Sequence, residues 1–210
     1  MAIDSVSQLT YSTMMKATNK RELLIKAAAS RFHRFGLSAS SIAEVANDAG
    51  IPPGNVYYYF RTKDSLATAV QDHWQTRTDA ALAEIDAGHP DAPSRLVAFL
   101  DGSEGNASFY AEAGCPIAVL SRDCRGGSDL LRPLAGRNFE KQAEWLERQF
   151  AEIGLSQRER LSAAWAILTA IQGGIALAYV TQSETPFRAA IADARQRVLD
   201  LVADFPRAKG

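Results

Sequence analysis

The chain has 210 residues and a formal net charge of −1 at pH 7, and 47% of its residues are hydrophobic while 22% are charged. This composition matches an ordinary globular protein of one or two domains, and it excludes a wholly disordered, collagen-like or linker protein. Because the whole chain is not a polycation, a nucleic-acid-binding function would require a local basic patch.

The N-terminal third can be assigned in chain order. Residues 1–18 are rich in Ser and Thr and lack the apolar core of a signal peptide, so we predict a disordered arm and a cytoplasmic protein. Apolar residues at helical spacing predict a first helix over residues 19–35. A capping box at Ser41 predicts a short second helix, and paired prolines predict a short third helix over residues 53–60. A longer helix follows over residues 63–87.

Helical spacing of apolar residues continues through the second half of the chain. Helices are predicted within residues 92–114, 128–153, 156–182 and 186–205, and Gly102 and Gly105 interrupt the first of these ranges. Another short helix is predicted to start at residues 114–116 and to end at Gly126 and Gly127. No segment alternates polar and apolar residues over a useful strand length. The pattern therefore predicts an all-α protein.

Residues 161–180 carry no charge over twenty positions, which is long enough for a membrane span. The segment contains the polar residues Ser162, Thr169 and Gln172, and amphipathic helices flank it. These features favour a helix that is buried on several faces, or that lies in a subunit interface, over a membrane span. The apolar seams of this helix and of the last one predict a symmetric homodimer joined by a four-helix bundle.

Positive charge concentrates in the segment that holds the two short helices. Residues 16–64 contain eight Lys and Arg residues and four Asp and Glu residues, which gives this segment a charge of +4. Two short helices around a tight turn form a helix-turn-helix, in which the second helix enters the major groove of DNA. We therefore predict a DNA-binding domain over residues 19–67 and a second helical domain over residues 68–210.

The same segment carries a family resemblance. The stretch from Phe32 to Leu66, with its glycines, the aromatic run at 57–60 and Lys63, closely resembles the N-terminal domain of the TetR family of repressors. The resemblance covers about residues 20–67. It implies an all-α homodimer in which an N-terminal helix-turn-helix domain binds a palindromic operator in double-stranded DNA. The larger C-terminal domain would bind a small-molecule effector and form the dimer.

The resemblance and the physics of phosphate binding together assign candidate DNA contacts. Hydroxyl, lysine and glycine-backbone groups near helix starts suit phosphates, whereas residues that face outward near the start of the recognition helix suit bases. The alternatives are helix capping by the serines, aromatic packing by the tyrosines and a solvated lysine. The predicted DNA-binding residues are Ser40, Ser41, Pro53, Gly54, Asn55, Tyr57, Tyr58, Tyr59 and Lys63.

Aromatic residues in the second half of the chain are spread over several helices. They form either the core of this domain or, as the resemblance implies, an apolar pocket for an effector. The aromatic residues predicted to bind the effector are Phe99, Phe109, Tyr110, Trp145 and Trp165.

A short motif adds a candidate redox site. Residues 114–123 resemble a Gly-Cys-Pro/Leu-x3-Leu-x2-acid motif of one TetR subgroup, which includes the electrophile-sensing repressor that controls N-ethylmaleimide reductase. A helix N-terminus would favour the thiolate of Cys115, so this residue is either the sensing thiol or a small buried packing residue. Cys124 follows nine positions later. That is about 13 Å along a helix, too far for a disulfide.

No other motif supports catalysis or metal binding. The chain has no Cys-x-x-Cys or His-Glu-x-x-His spacing, no nucleotide-binding glycine loop and no nucleophile elbow. We therefore expect no enzyme activity, no metal and no cofactor. The sequence predicts a ligand- or electrophile-responsive repressor of the TetR type. The alternative is a helical DNA-binding or interaction protein without ligand regulation.

Overall fold

The computed structural model describes the backbone of residues 4–204 and the side chains of residues 19–204. Within this range the chain is helical and contains no strand, which confirms the predicted all-α fold. A single turn of 3-10 helix, Arg132–Leu134, lies between the seventh and eighth helices. The helices are α1 (Asp4–Phe35), α2 (Ile42–Asp48), α3 (Pro53–Tyr59), α4 (Lys63–Gly88), α5 (Ala92–Glu104), α6 (Ala107–Ala113), α7 (Pro116–Arg125), α8 (Arg137–Ile153), α9 (Gln157–Thr181) and α10 (Thr185–Asp204).

The chain folds into two compact units. The first contains the residues up to 73 together with residues 118–135, and the second contains residues 74–117 and those from 136 onward. The domain boundary predicted after residue 67 stays a prediction, but the second segment of the first unit was not expected from the sequence. The backbone is helical from Asp4, which differs from the disordered arm expected over residues 1–18. The side chains of that arm lie outside the described residues.

The core of the first unit is built from apolar residues at helical spacing. Leu24 of α1, Val45 of α2 and Val56 of α3 are fully shielded from solvent. Ser41 is the N-cap of α2 and forms the predicted capping box with Glu44. Because α2 and α3 are each too short to be stable as isolated helices, their buried residues and this cap hold them in place.

The second unit is built largely from α5, α8, α9 and α10. Trp145, Phe150 and Phe187 are almost fully buried in it. Gly174 allows α9 to approach α10 closely, because a Cβ atom at this position would lie 2.9 Å from the Cβ atom of Ala190. Gly174 therefore brings α9 and α10 close together within the chain.

Two predicted helical segments agree with the structure only in part. The helix predicted over residues 128–153 begins at Arg137, because Pro133 in the preceding residues cannot continue a helical hydrogen-bond ladder. The prediction was therefore wrong at this start. The segment 92–114 forms two helices, α5 and α6, and the predicted interruption occurs at Gly105, whereas Gly102 lies within α5 and does not break it.

Among the described residues, α9 is the one helix long and apolar enough to cross a membrane by length and composition. In the most apolar 18-residue stretch of this helix, 39% is buried inside the chain itself. A core helix of a globular protein passes the same test, so these properties are weak evidence for a span.

Candidate nucleic-acid interface and effector site

The third helix, α3, presents predicted base-reading residues on the surface. It begins at Pro53, and it is anchored by Val56, which is fully buried. Tyr58 is 83% exposed and Tyr57 is 57% exposed. The other predicted contacts on this helix are exposed at positions 53–55 and half-buried at Tyr59. A short helix that is anchored on one side and exposed on the others has the shape required to enter a major groove.

Gly54 has no packing reason to be glycine within this chain. Among the described residues, no heavy atom lies within 4 Å of a Cβ atom placed at this position, so an alanine would fit. Close approach of a DNA backbone gives a physical reason for a glycine at the start of the recognition helix.

The two predicted serines have different surroundings. Ser40 is 2% exposed, and its hydroxyl donates to the carbonyl oxygen of Gly36 at 2.7 Å. Ser41 is exposed, and both its amide and its hydroxyl donate to a carboxylate oxygen of Glu44 at 2.8 Å. The bond from the Ser41 amide, followed by that from its hydroxyl, lowers the pKa of Glu44. This geometry favours a turn-forming role for Ser40 and a capping role for Ser41, because the amide and the hydroxyl of Ser41 both already donate to Glu44.

Lys63 has partners that sequence reasoning missed. Its Nζ atom donates to the carbonyl oxygens of Leu37 at 3.0 Å, Ser38 at 3.3 Å and Ser40 at 3.2 Å. A lysine ammonium has three N–H donors, so all of them are used by the turn between α1 and α2. The sequence alone is compatible with a phosphate contact or with a solvated lysine. The structure adds a third role, in which Lys63 holds the backbone of this turn.

The positive charge of the first unit is partly neutralised internally. Arg31 is paired with Glu44 and with Asp48, and its side chain is only 14% exposed. By contrast, Lys20 and Arg61 are exposed and form no ion pair with the described part of the chain. Exposed, unpaired cations are the ones that can release counterions from DNA phosphates.

The aromatic residues predicted to bind an effector lie in separate parts of the second unit. The rings of Phe99 and Trp145 are 5.5 Å apart, and both residues are buried. The indole N–H of Trp145 donates to Asp86 at 3.0 Å, so this pair has the properties of a core. Tyr110 packs its ring edge against Phe187 at 5.2 Å, and burial raises the pKa of its phenol to about 12.

Two of these residues are more accessible. Phe109 is 45% exposed, and its ring lies 5.9 Å from that of Tyr110. Trp165 is 42% exposed and lines an open groove of about 500 Å³ together with Phe139 and Gln172. The groove is lined by residues of α8 and α9, and the sequence did not indicate it, because its lining residues are distant in the chain.

The two cysteines differ in environment and fall in different compact units. Cys115 directly precedes α7, as predicted for a thiol at a helix start, and it is 8% exposed. Cys124 is fully buried, and its Sγ atom accepts a hydrogen bond from Nε2 of Gln71 at 3.5 Å. Burial raises the pKa of the Cys124 thiol. Cys115 is therefore the better candidate for reaction with an electrophile.

Comparison with known proteins identifies both parts of the chain. The family model "Bacterial regulatory proteins, tetR family" matches residues 24–70. The model "Transcriptional regulator LmrA/YxaF-like, C-terminal domain" matches residues 95–193. The HTH-type transcriptional regulator LmrA of Bacillus subtilis (strain 168) is 23% identical over 174 residues, which cover 82% of this chain and 93% of that relative.

Solved structures share the fold. A TetR transcriptional regulator from Chloroflexus aurantiacus superposes with a TM-score of 0.78 at 21% identity, covering 88% of this chain and 96% of that chain. The reduced form of NemR from E. coli gives a TM-score of 0.72 at 19% identity, and the match covers 85% of this chain and 96% of that chain. The electrophile-sensing subgroup stays a prediction, because likeness at this identity concerns the fold alone.

The matched relatives are regulators of transcription and not enzymes, which confirms the prediction of a regulator without enzyme activity. With its helix-turn-helix in the first unit and an LmrA/YxaF-like second half, the chain belongs to the TetR family of transcriptional regulators.

Proposed function

We propose that this regulator is a repressor that binds a palindromic operator in double-stranded DNA as a homodimer, and that an effector releases it. The observation that carries the proposal is the exposure of Asn55, Tyr57 and Tyr58 on a helix anchored by the buried Val56. Exposed cations of the same unit support contact with phosphates. The site of action would be the cytoplasm and not a membrane.

The homodimer is supported by an exposed apolar stripe on α9. Leu161, Trp165, Leu177 and Val180 lie on one broad face of the helix, and each is between 42% and 71% exposed. Large exposed apolar patches commonly mark sites of protein association. In a dimer with two-fold symmetry each copy would cover the stripe of the other. This arrangement would also explain why α9 is apolar over much of its length.

A non-covalent effector is supported by the groove that Trp165 lines. Its volume of about 500 Å³ falls in the range of small-molecule sites, and an indole with an amide at Gln172 could contact an aromatic compound. Because Trp165 also belongs to the apolar stripe, an effector bound here would lie beside the proposed dimer interface. An electrophile that reacts with Cys115 is the second kind of effector.

One observation favours the alternative of a DNA-binding protein without ligand regulation. Phe99 and Trp145 are packed against each other, and the indole N–H already has a partner in Asp86. Since the two rings contact each other and the indole N–H is hydrogen-bonded, this pair does not require a ligand to complete its packing or its hydrogen bonding.

Selection of binding sites from random duplex DNA, followed by protection mapping, tests the proposed function. We expect a palindrome with half-sites separated by about one helical turn, 10 base pairs, or a multiple of it. Selection of no sequence would contradict DNA recognition through α3. A selected operator that neither small aromatic compounds nor N-ethylmaleimide release would favour the unregulated alternative.

A further inference from the structure

The turn between α1 and α2, residues 36–41, is held by two side chains from distant parts of the chain. The amide of Leu37 donates to Oδ2 of Asp123 at 2.7 Å. The carbonyl oxygen of the same residue accepts from Nζ of Lys63 at 3.0 Å. One residue of the turn is thus bonded to a carboxylate of α7 and to an ammonium of α4.

The carboxylate of Asp123 is well placed for a strong hydrogen bond. Its side chain is 15% exposed, so the bond to the Leu37 amide is shielded from water. Gly36 has a φ of 81°, and a Cβ atom there would lie 3.2 Å from Oδ2 of Asp123. The glycine therefore permits the left-handed backbone of the turn and leaves room for the carboxylate.

The conformation of this turn determines where α2 begins. Ser40 closes the turn by donating to Gly36, and its own carbonyl accepts from Lys63. The next residue, Ser41, is the N-cap of α2. Since α2 packs against the recognition helix α3, a change in the turn would change the orientation of the helix that is proposed to read DNA.

Further bonds attach the end of α7 and the residues after it to α4. Cys124 accepts from Gln71 at 3.5 Å, and the hydroxyl of Ser128 donates to Asp64 at 2.6 Å. These contacts explain why residues 118–135 belong to the first compact unit. They also mean that Asp123 is presented to the turn from a firmly attached helix end.

We propose that Asp123 is a positioning residue for DNA recognition, which holds the α1–α2 turn through the amide of Leu37 and makes the placement of α2 and α3 depend on α7. Asp123 lies in the second half of α7, which starts at Pro116, directly after the predicted thiol Cys115. This role of Asp123 rests on the proposed DNA-binding function.

Asp123→Ala distinguishes a positioning role of Asp123 from a simple effect of its negative charge, because the two predict opposite changes in DNA affinity. Loss of an acid should tighten binding to a polyanion if its charge alone matters. Loss of a positioning acid should instead weaken operator binding, by roughly tenfold for a charge-assisted hydrogen bond. Asp129→Ala is the matched control, because Asp129 is an acid of the same segment whose side chain is 96% exposed. It should bind the operator as the unaltered chain does, or slightly more tightly.

The experiment measures operator affinity of the full chain together with hydrogen exchange of the Leu37 amide by NMR. We expect Asp123→Ala to weaken operator binding and to speed exchange at Leu37. Asp123→Asn keeps an oxygen acceptor without the charge and should restore most of both, leaving affinity about threefold weaker. Unchanged or tighter operator binding by Asp123→Ala, or unchanged exchange at Leu37, would overturn the proposal.

Two further outcomes are covered by the same measurements. If Asp123→Ala loses its helical circular dichroism, Asp123→Asn decides: intermediate affinity and exchange support positioning, and values equal to the unaltered chain contradict it. If the unaltered chain selects no operator, the proposed function fails. The exchange measurement then still decides whether Asp123 holds the turn.

Discussion

Asp123 and Leu37 are joined by a hydrogen bond of 2.7 Å although 86 positions separate them in the chain. The acid is the last residue of the motif that resembles an electrophile-sensing subgroup, and the amide belongs to the turn that opens the helix-turn-helix. The motif therefore has a structural consequence in the DNA-binding unit that is independent of any chemistry at its cysteine. Two cations, Lys63 and Arg61, lead to a first prediction in the same region.

Lys63→Ala should destabilise the chain more than it changes the salt dependence of DNA binding. Its ammonium donates to three backbone carbonyls, and their loss should lower the free energy of unfolding by about 1–3 kcal/mol. The logarithmic salt slope of operator binding should stay nearly unchanged. Chemical denaturation and a salt titration measure the two effects.

Arg61→Ala provides the opposite pattern as a control. Arg61 is exposed and forms no ion pair with the described residues, so its loss should leave stability unchanged. If it contacts a phosphate, the salt slope should fall by about one for each copy. A reduced slope for Lys63→Ala would show that this lysine leaves the turn to bind the DNA backbone.

Tyr57→Phe and Asn55→Ala should separate phosphate contacts from base contacts. Removal of the Tyr57 hydroxyl should weaken binding to all duplexes by a similar factor, because phosphates carry no sequence code. Removal of the Asn55 amide should cost about 1–3 kcal/mol against the operator and relax the preference at one base pair. Affinities for the operator and its single-base variants measure both. A changed base preference for Tyr57→Phe would assign it to base reading instead.

Val180→Glu should break the proposed dimer. Val180 is 71% exposed on the apolar stripe of α9, and a charge in a two-fold apolar interface would be placed near its symmetry mate. Sedimentation equilibrium at micromolar concentration should give a dimer for the unaltered chain and a monomer for the variant. Leu130→Glu is the control, since Leu130 is 58% exposed outside α9. A monomeric unaltered chain would contradict the dimer.

N-ethylmaleimide should react at Cys115 before Cys124. Burial raises the pKa of the Cys124 thiol, so at pH 7 to 8 a smaller fraction of this thiol is ionised than of an ordinary cysteine. The reaction of Cys124 should therefore accelerate as the pH rises further. Mass spectrometry of labelled peptides and operator release should be compared in Cys115→Ser and Cys124→Ser. If N-ethylmaleimide releases the operator from Cys115→Ser as well as from the unaltered chain, Cys115 is a packing residue and not the sensing thiol.

Gly174→Ala should lower the melting temperature, whereas Gly102→Ala should raise it. A Cβ atom at position 174 would lie 2.9 Å from Ala190 and 3.1 Å from the backbone of Phe187, which predicts a loss of about 1–3 kcal/mol. Gly102 is an exposed helical glycine with no heavy atom within 4 Å of its Cβ position. Alanine there should add up to about 1 kcal/mol through helix propensity. Equal melting temperatures would mean that α9 and α10 can separate at Gly174.

Features that depend on neighbours in sequence could be predicted from the sequence alone. The capping box of Ser41 and Glu44 spans three residues, and the start of α3 at Pro53 depends on the fixed φ of proline. Apolar spacing on the long helices identified the fold class for the same reason. The amphipathic pattern predicts a helix from residue 128, but α8 begins at Arg137, because Pro133 cannot continue the helical hydrogen-bond ladder.

The tertiary structure decided which groups meet. The partners of Lys63 lie 23 to 26 positions before it, and that of Asp123 lies 86 positions before it. Aromatic residues that looked equivalent in the sequence became a core pair at Phe99 and Trp145 and an exposed groove residue at Trp165. Helical periodicity states which face of a helix is apolar, but the partner of that face is chosen by long-range packing, and hydrogen bonds between distant residues follow from that packing.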